Sequence, residues 1–173
     1  MRWKNFGETT TEEGRKVKFS GKEDKHEHSV RFLVHNAATS DYDDNKIEEF
    51  FDQLQNVIDQ APKKDILVVQ GDWDAKAGRD ACGNWQGICG SFCNDDTNER
   101  GLRLLEFATF NDLVLANTFG HHKASRRWTW HSPNGKHHNQ IDYILVRKRF
   151  RSGMNIARTR SFPEQTLEVI TTC

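Results

Sequence analysis

No charge of either sign is in excess in this chain: 25 Lys and Arg residues balance 25 Asp and Glu residues. The sum therefore supplies no long-range pull toward DNA, and nucleic-acid contact needs a local basic patch. Apolar runs of membrane-spanning length are also lacking, so no membrane partner is expected. Met1-Arg2-Trp3-Lys4 leads into no signal-peptide core, which points to an intracellular protein, nuclear or cytoplasmic and not secreted. Paired C-x2-C hooks are missing from the spacing of Cys82, Cys89, Cys93 and Cys173. His121, His122, His131, His137 and His138 complete no known zinc pattern with them. Buried free thiols and solvated histidines are the expectation. Internal repeats are absent, and no motif identifies a protein partner.

What is present is uneven. A chain of 173 residues can build one domain with a real core. Residues 1–45 are charged and poor in apolar anchors, with only Val30-Arg31-Phe32-Leu33-Val34 reading as a strand, so this segment is expected to be poorly ordered. From Lys46 onward the pattern sharpens. Ile47, Phe50, Phe51, Leu54, Val57 and Ile58 recur at three- and four-residue steps, the stripe of a core-facing helix that Pro62 closes. Ile66-Leu67-Val68-Val69 predicts a strand buried on both faces and ending at Gly71-Asp72. Ala77 to Asn98 reads as a long loop, and Leu102, Leu105, Ala108 and Leu113 mark a second helix. Val114 to Asn117 reads as a strand. Arg127 to His131 and Gln140 to Val146 read as two more, around the turn Ser132-Pro133-Asn134-Gly135. The sum is a layered α/β domain over residues 46–162.

Two places carry chemistry. Asp72 and Asp74 lie two apart at a strand end, where alternation aims i and i+2 to one side. Such a pair is equally common as a solvated turn. Asp142 interrupts the apolar run Ile141-Asp142-Tyr143-Ile144-Leu145-Val146, and a carboxylate between large apolar residues needs a partner. A histidine or a hard Mg²⁺ ion would serve; a half-exposed strand position is the alternative. Trp130, beside Thr129 in a strand pattern, reads as core. The basic stretches Lys123 to Arg127 and Arg147 to Arg151 read as solvated clusters or as phosphate contacts.

Four motifs in one order resemble those of the endonuclease/exonuclease/phosphatase superfamily, and within it the RTE/BovB-type endonucleases of LINE retrotransposons. Gly71-Asp72-Trp73-Asp74-Ala75-Lys76-Ala77-Gly78 resembles its G-D-F/W-N-A-x-x-G strand end. Asn98-Glu99-Arg100-Gly101-Leu102-Arg103-Leu104-Leu105-Glu106-Phe107 resembles its N-x-x-G-x-x-L-L-x-F helix start. Thr129-Trp130-His131-Ser132-Pro133 resembles T-W-x-S-P, and Gln140-Ile141-Asp142-Tyr143-Ile144-Leu145 resembles x-I-D-Y-I-L. The resemblance implies a four-layer α/β sandwich, here partial, and Mg²⁺-dependent cleavage of DNA phosphodiesters. It implies that Asp72 positions or deprotonates water and that Asp142 orients a histidine supplied near the C-terminus. In the family, position 74 is an Asn whose amide donates to the phosphate, and the resemblance also implies that Asn98, Arg100 and Thr129 contact the nucleic acid.

The departures predict impaired catalysis. Asp74 stands where the family has Asn, and an ionised carboxylate only accepts. Asn36 aligns with a phosphate-contacting Tyr, and the half carrying the metal-binding Glu and its companion Asn is not found. Residues 161–173 lack the closing S-D-H. Synonymous codons can be chosen for this tail that, read one base earlier, encode Gly-Ala-Asp-Ile-Gly-Ser-Asp-His-Asp, so residues 163–173 are expected to be a frameshifted tail. A non-catalytic nucleic-acid-binding or functionless fragment is the competing expectation.

Overall fold

Helix α1 spans Asp44–Asp59 and buries Phe51, Leu54 and Ile58 along the stripe that the periodicity defines. In this computed structural model the described residues are 7–10, 16–20, 30–36, 44–94 and 96–153. Three strands precede the helix: β1 (Gly7–Thr10), β2 (Lys16–Ser20) and β3 (Val30–Asn36). After it come β4 (Ile66–Asp72), a single-turn α2 (Arg79–Cys82), α3 (Glu99–Phe110) and β5 (Leu113–Leu115). β6 (Trp130–His131), β7 (His138–Asn139) and β8 (Asp142–Arg147) follow.

Six strands form one sheet in the order β1-β2-β3-β4-β8-β5, with β6 and β7 as a separate ribbon. The β3–β4 pair is parallel and joined through α1, the crossover that parallel neighbours require. Every other neighbouring pair in the sheet is antiparallel. Strand alternation sorts the core. Leu67, Val69, Leu113, Leu115, Tyr143 and Leu145 face Phe51, Leu54, Leu104, Leu105 and Ala108 of the two helices. Val68, Ile144 and Val146 form a second cluster on the opposite face, with Ile66, Ala116 and Phe150 against it. A fully buried Leu or Val side chain contributes about 1.5–3 kcal/mol, so this two-sided burial holds β4 and β8 at the centre.

The expected Ala77–Asn98 loop is irregular but tied down. The buried Tyr143 hydroxyl accepts from Ala77 N at 2.9 Å and donates to Gln140 O at 3.0 Å. Asn94 reads the backbone of Gln140 twice, donating from Nδ2 to its carbonyl at 2.7 Å and accepting at Oδ1 from its N–H at 3.0 Å. Among the described residues no helix is long and apolar enough to cross a membrane.

Four expectations need correction. The Ser132–Gly135 turn closes a hairpin of only two residues a side, Trp130 opposite Asn139 and His131 opposite His138. The apolar 142–147 strand instead enters the main sheet between β4 and β5, because side chains apolar on both faces need cover on both. Leu113 starts β5 rather than ending the second helix, since Asp112 turns left-handed at φ 53° and stops it. The strand expected over 114–117 ends at Leu115, and a 3-10 turn takes Ala116–Thr118. Ahead of residue 45, β1 and β2 add strands that the sequence pattern did not mark. The 163–173 tail lies outside the described residues.

Candidate active site

One register row crosses the centre of the sheet: Asn36 of β3 pairs with Asp72 of β4, which pairs with Asp142 of β8. Directly opposed residues of an antiparallel pair project to the same face, so the two carboxylates stand side by side there. Both are held ready to take a proton. Burial is the main cause for Asp142, and the nearby charge of Asp72 adds to it, while the Thr129 hydroxyl opposes; the result is a carboxyl pushed up to about 6. Asp72 is raised as well, first by burial and then by the charge of Asp74, against the backbone N–H of Asp74. That N–H donates to Asp72 Oδ1 at 2.9 Å.

Thr129 serves Asp142 directly. Its Oγ1 accepts from Ile141 N at 3.0 Å and from Asp142 N at 3.2 Å, and its hydroxyl favours the ionised carboxylate against the effect of burial. The two backbone bonds use both lone pairs of the oxygen. Asn117, which sequence reasoning missed, holds the same strand end from the other side. Its buried amide donates to Asp142 O at 3.0 Å and accepts from Ile144 N at 3.2 Å. The only signal for it was a polar residue after the apolar run Leu113-Val114-Leu115.

Asp74 bends away from the strand with φ 44°, a left-handed conformation in which Asn and Asp are the usual non-glycine residues. Its carboxylate pairs with Arg100 Nη1 at 2.5 Å. The predicted phosphate-contacting Arg100 thus faces an acid in its own chain. Asn98 is the cap of α3: Oδ1 accepts from Gly101 N and from Lys76 N, both at 2.8 Å. The Asn98 backbone N–H in turn donates to Lys76 O at 3.2 Å. The N-x-x-G spacing therefore clamps the loop after Asp74 onto the helix start.

Trp130 is exposed at 38%, which corrects its reading as core; the buried tryptophan is Trp73, whose Nε1 donates to Tyr143 O at 3.0 Å. In the ribbon Trp128 stacks on His138, with ring centroids 4.4 Å apart. Arg147 leaves the basic surface cluster: it is buried, with Nη1 and Nη2 donating to Pro62 O and Ala61 O at 2.7 and 3.0 Å.

The raised Asp142 pKa has a thermodynamic consequence. A carboxyl that binds its proton more tightly folded than unfolded contributes stability that is complete below about pH 4 and lost as pH rises through about 6. In metal-free buffer Asp142→Asn is therefore expected to stabilise the protein at pH 7.5. After allowance for solvent screening of this partly exposed group, the gain is about 1–2 kcal/mol. Thermal unfolding should show Tm higher by roughly 3–6 °C at pH 7.5 and unchanged at pH 4. An equal shift at both pH values would refute a charge origin.

The arrangement of this sheet and its helices recurs in solved structures. The 3'-5' exonuclease NExo from Neisseria meningitidis superposes with a TM-score of 0.54 and 17% identity, over 89% of this chain and 61% of its own. The endonuclease domain of TRAS1, a telomere-specific non-LTR retrotransposon, does so with a TM-score of 0.50 and 13% identity, over 86% of this chain and 58% of its own. This is the fold of the endonuclease/exonuclease/phosphatase superfamily. Craniofacial development protein 2 of Bos taurus is 40% identical to the chain over 124 residues, 72% of this chain and 20% of that protein. Its counterpart in Tragulus javanicus is 40% identical over 124 residues, 72% of this chain and 21% of its own length. The chain spans about one fifth of the length of the curated relatives it matches. No family model matches it. Within the superfamily's fold, the Asp72–Asp142 row lies where a parallel and an antiparallel neighbour flank the same central strand.

Proposed function

We propose that this chain is a retrotransposon-derived nuclease domain, built for Mg²⁺-dependent cleavage of DNA phosphodiesters and impaired in that activity, with Asp74 as one cause beside the missing family Glu and closing S-D-H. The observation that carries the reading is the cross-strand pair Asp72–Asp142, two carboxylates on one face with raised proton affinity. Perturbed acids at a strand end cluster at functional sites, and their mutual repulsion has no use in packing.

The residues fit the metal. Among the described residues no group of three or more His, Cys, Asp or Glu could hold an ion. Mg²⁺ does not need one: it is bound through one or two carboxylates, waters and a substrate phosphate. Asp72 and Asp142 would hold it, and it would supply charge neutralisation and a more acidic water. Asp72, fixed by the Asp74 N–H, would orient that water or accept its proton. Thr129 and Asn117 keep the Asp142 backbone in place. Asp74 works against the reaction, because its carboxylate repels a phosphate and occupies Arg100.

Purified protein incubated with supercoiled plasmid and Mg²⁺ should nick it slowly, and Asp72→Ala should abolish the nicking. Nicking that survives Asp72→Ala would sink the proposal. The second reading, a non-catalytic nucleic-acid binder, is favoured by the exposed Lys148 and Arg149 at the end of β8 and by Arg151 over the Phe119 ring at 4.6 Å. It predicts no nicking by either protein and binding that weakens steeply with salt.

A further inference from the structure

Cys89 and Cys93 take no part in the carboxylate site, yet their thiols are placed for chemistry of their own. Both are buried, and their Sγ atoms are 2.9 Å apart. That is about 0.9 Å beyond a disulfide bond of about 2.05 Å. Both sulfurs lie against one acceptor, Gly90 O, Cys93 Sγ at 2.8 Å and Cys89 Sγ at 3.6 Å.

The turn that carries them is fixed before any bond forms. Gly90 N donates to Thr118 Oγ1 at 2.8 Å, and Phe92 N donates to Thr118 O at 3.0 Å. A Cβ at Gly90 would lie 2.3 Å from Thr118 O, so the backbone there runs too close for a side chain. Cys93 O accepts from Arg127 Nη1 at 3.2 Å. Thr118 is fully buried, next to the Asn117 that holds Asp142. Pairing thus costs little further ordering, because the chain on both sides is already held.

Cys93 lines a cavity of about 280 Å³ between the 76–96 loop and the β6–β7 ribbon, together with Lys76, Arg79, Trp128 and His138. The room is ample for a small oxidant, since a water occupies only about 10–15 Å³ on the same kind of measure.

We propose that Cys89 and Cys93 are a reversible dithiol–disulfide site, oxidised by hydrogen peroxide or a small organic peroxide that enters through this cavity. The Cys93 sulfur attacks a peroxide oxygen and the O–O bond breaks. Water (an alcohol from an organic peroxide) leaves with the second oxygen, and Cys93 becomes a sulfenic acid. The Cys89 sulfur then attacks the Cys93 sulfur, the S–O bond breaks, and the hydroxyl leaves as water with the Cys89 proton. The two sulfurs lose two electrons together, and the peroxide gains them. A thiol reductant reverses the link by exchange.

The wild-type chain has the cleavage sites needed to test this. The folded protein is treated with hydrogen peroxide, remaining thiols are alkylated in urea, and chymotrypsin cuts after Trp85 and Phe92. Cys82, Cys89 and Cys93 then fall in separate peptides. The expected product is a linked peptide pair joining Cys89 to Cys93, two hydrogens lighter, lost on reduction, and about tenfold more abundant than any other pairing. Oxidation in urea should remove that preference. The urea midpoint of the oxidised protein should exceed that of the reduced protein, and Cys93→Ser should remove the difference. Links through Cys82 or Cys173, oxidation of either thiol to sulfinic acid without a link, or equal pairing in folded and unfolded protein would each overturn the assignment.

Discussion

Asp74→Asn is expected to raise plasmid nicking by about 10- to 100-fold at neutral pH, somewhat less than the roughly 100- to 1000-fold that one preorganised donor at a developing charge supplies. Three effects act together. An amide can donate where the carboxylate can only accept. Loss of the charge beside Asp72 removes one of the causes that raise its pKa, so more of Asp72 is ionised and able to take a proton. Arg100 loses its 2.5 Å ion pair and turns toward the phosphate. The backbone raises no objection, because φ 44° at position 74 suits Asn at least as well as Asp. The stability lost with the ion pair is small, about 1 kcal/mol or less for a pair this accessible to water. The readouts are the initial nicking rate and its pH profile, whose acid limb should move to lower pH. Nicking unchanged by Asp74→Asn would remove Asp74 as a cause of impairment.

The sequence made some of this site visible and hid the rest for identifiable reasons. Helix α1 and strand β4 were readable because their burial is local, with periodicities of 3.6 and of continuous apolar length running along the chain. Asp72 and Asp142 were readable as acids at the ends of apolar runs. Their pairing was not, since a register between residues 70 positions apart is set by the twin burial of β4 and β8. The same gap misled the reading of residues 140–146 as half of a hairpin: the turn chemistry at 132–135 was right, but packing claimed the longer strand. Arg147 looked like one more surface cation. Two carbonyls near Pro62 capture it, and no spacing rule encodes such a contact. The Asp74–Arg100 pair is hidden in the same way. Each residue matches a motif position or departs from one, and only the fold shows that the departure at 74 cancels the match at 100.

Gly101→Ala should destabilise the protein by about 3 kcal/mol or more, against the usual sign for such a change. In an ordinary helix interior, Ala is favoured over Gly by about 0.5–1 kcal/mol, because Gly loses more backbone freedom on folding. Here the added Cβ would lie 1.8 Å from Lys76 O and 2.5 Å from Lys76 C, both backbone atoms, so no rotamer change relieves the overlap. Helix α3 must shift or the 74–78 loop must leave it. The second course breaks both Asn98 contacts to Lys76 and separates Asp74 from Arg100. It also strains the Ala77 N bond to the buried Tyr143 hydroxyl, whose loss would leave that group unpaired in the core. Urea unfolding should show a lower midpoint with an unchanged slope. Asn98→Gly adds no atom; losing the cap costs a few tenths of a kcal/mol and losing the side-chain bond to Lys76 brings the total to about 1 kcal/mol. If Gly101→Ala costs no more than that, or stabilises, the clamp between the 74–78 loop and α3 is looser than these distances describe.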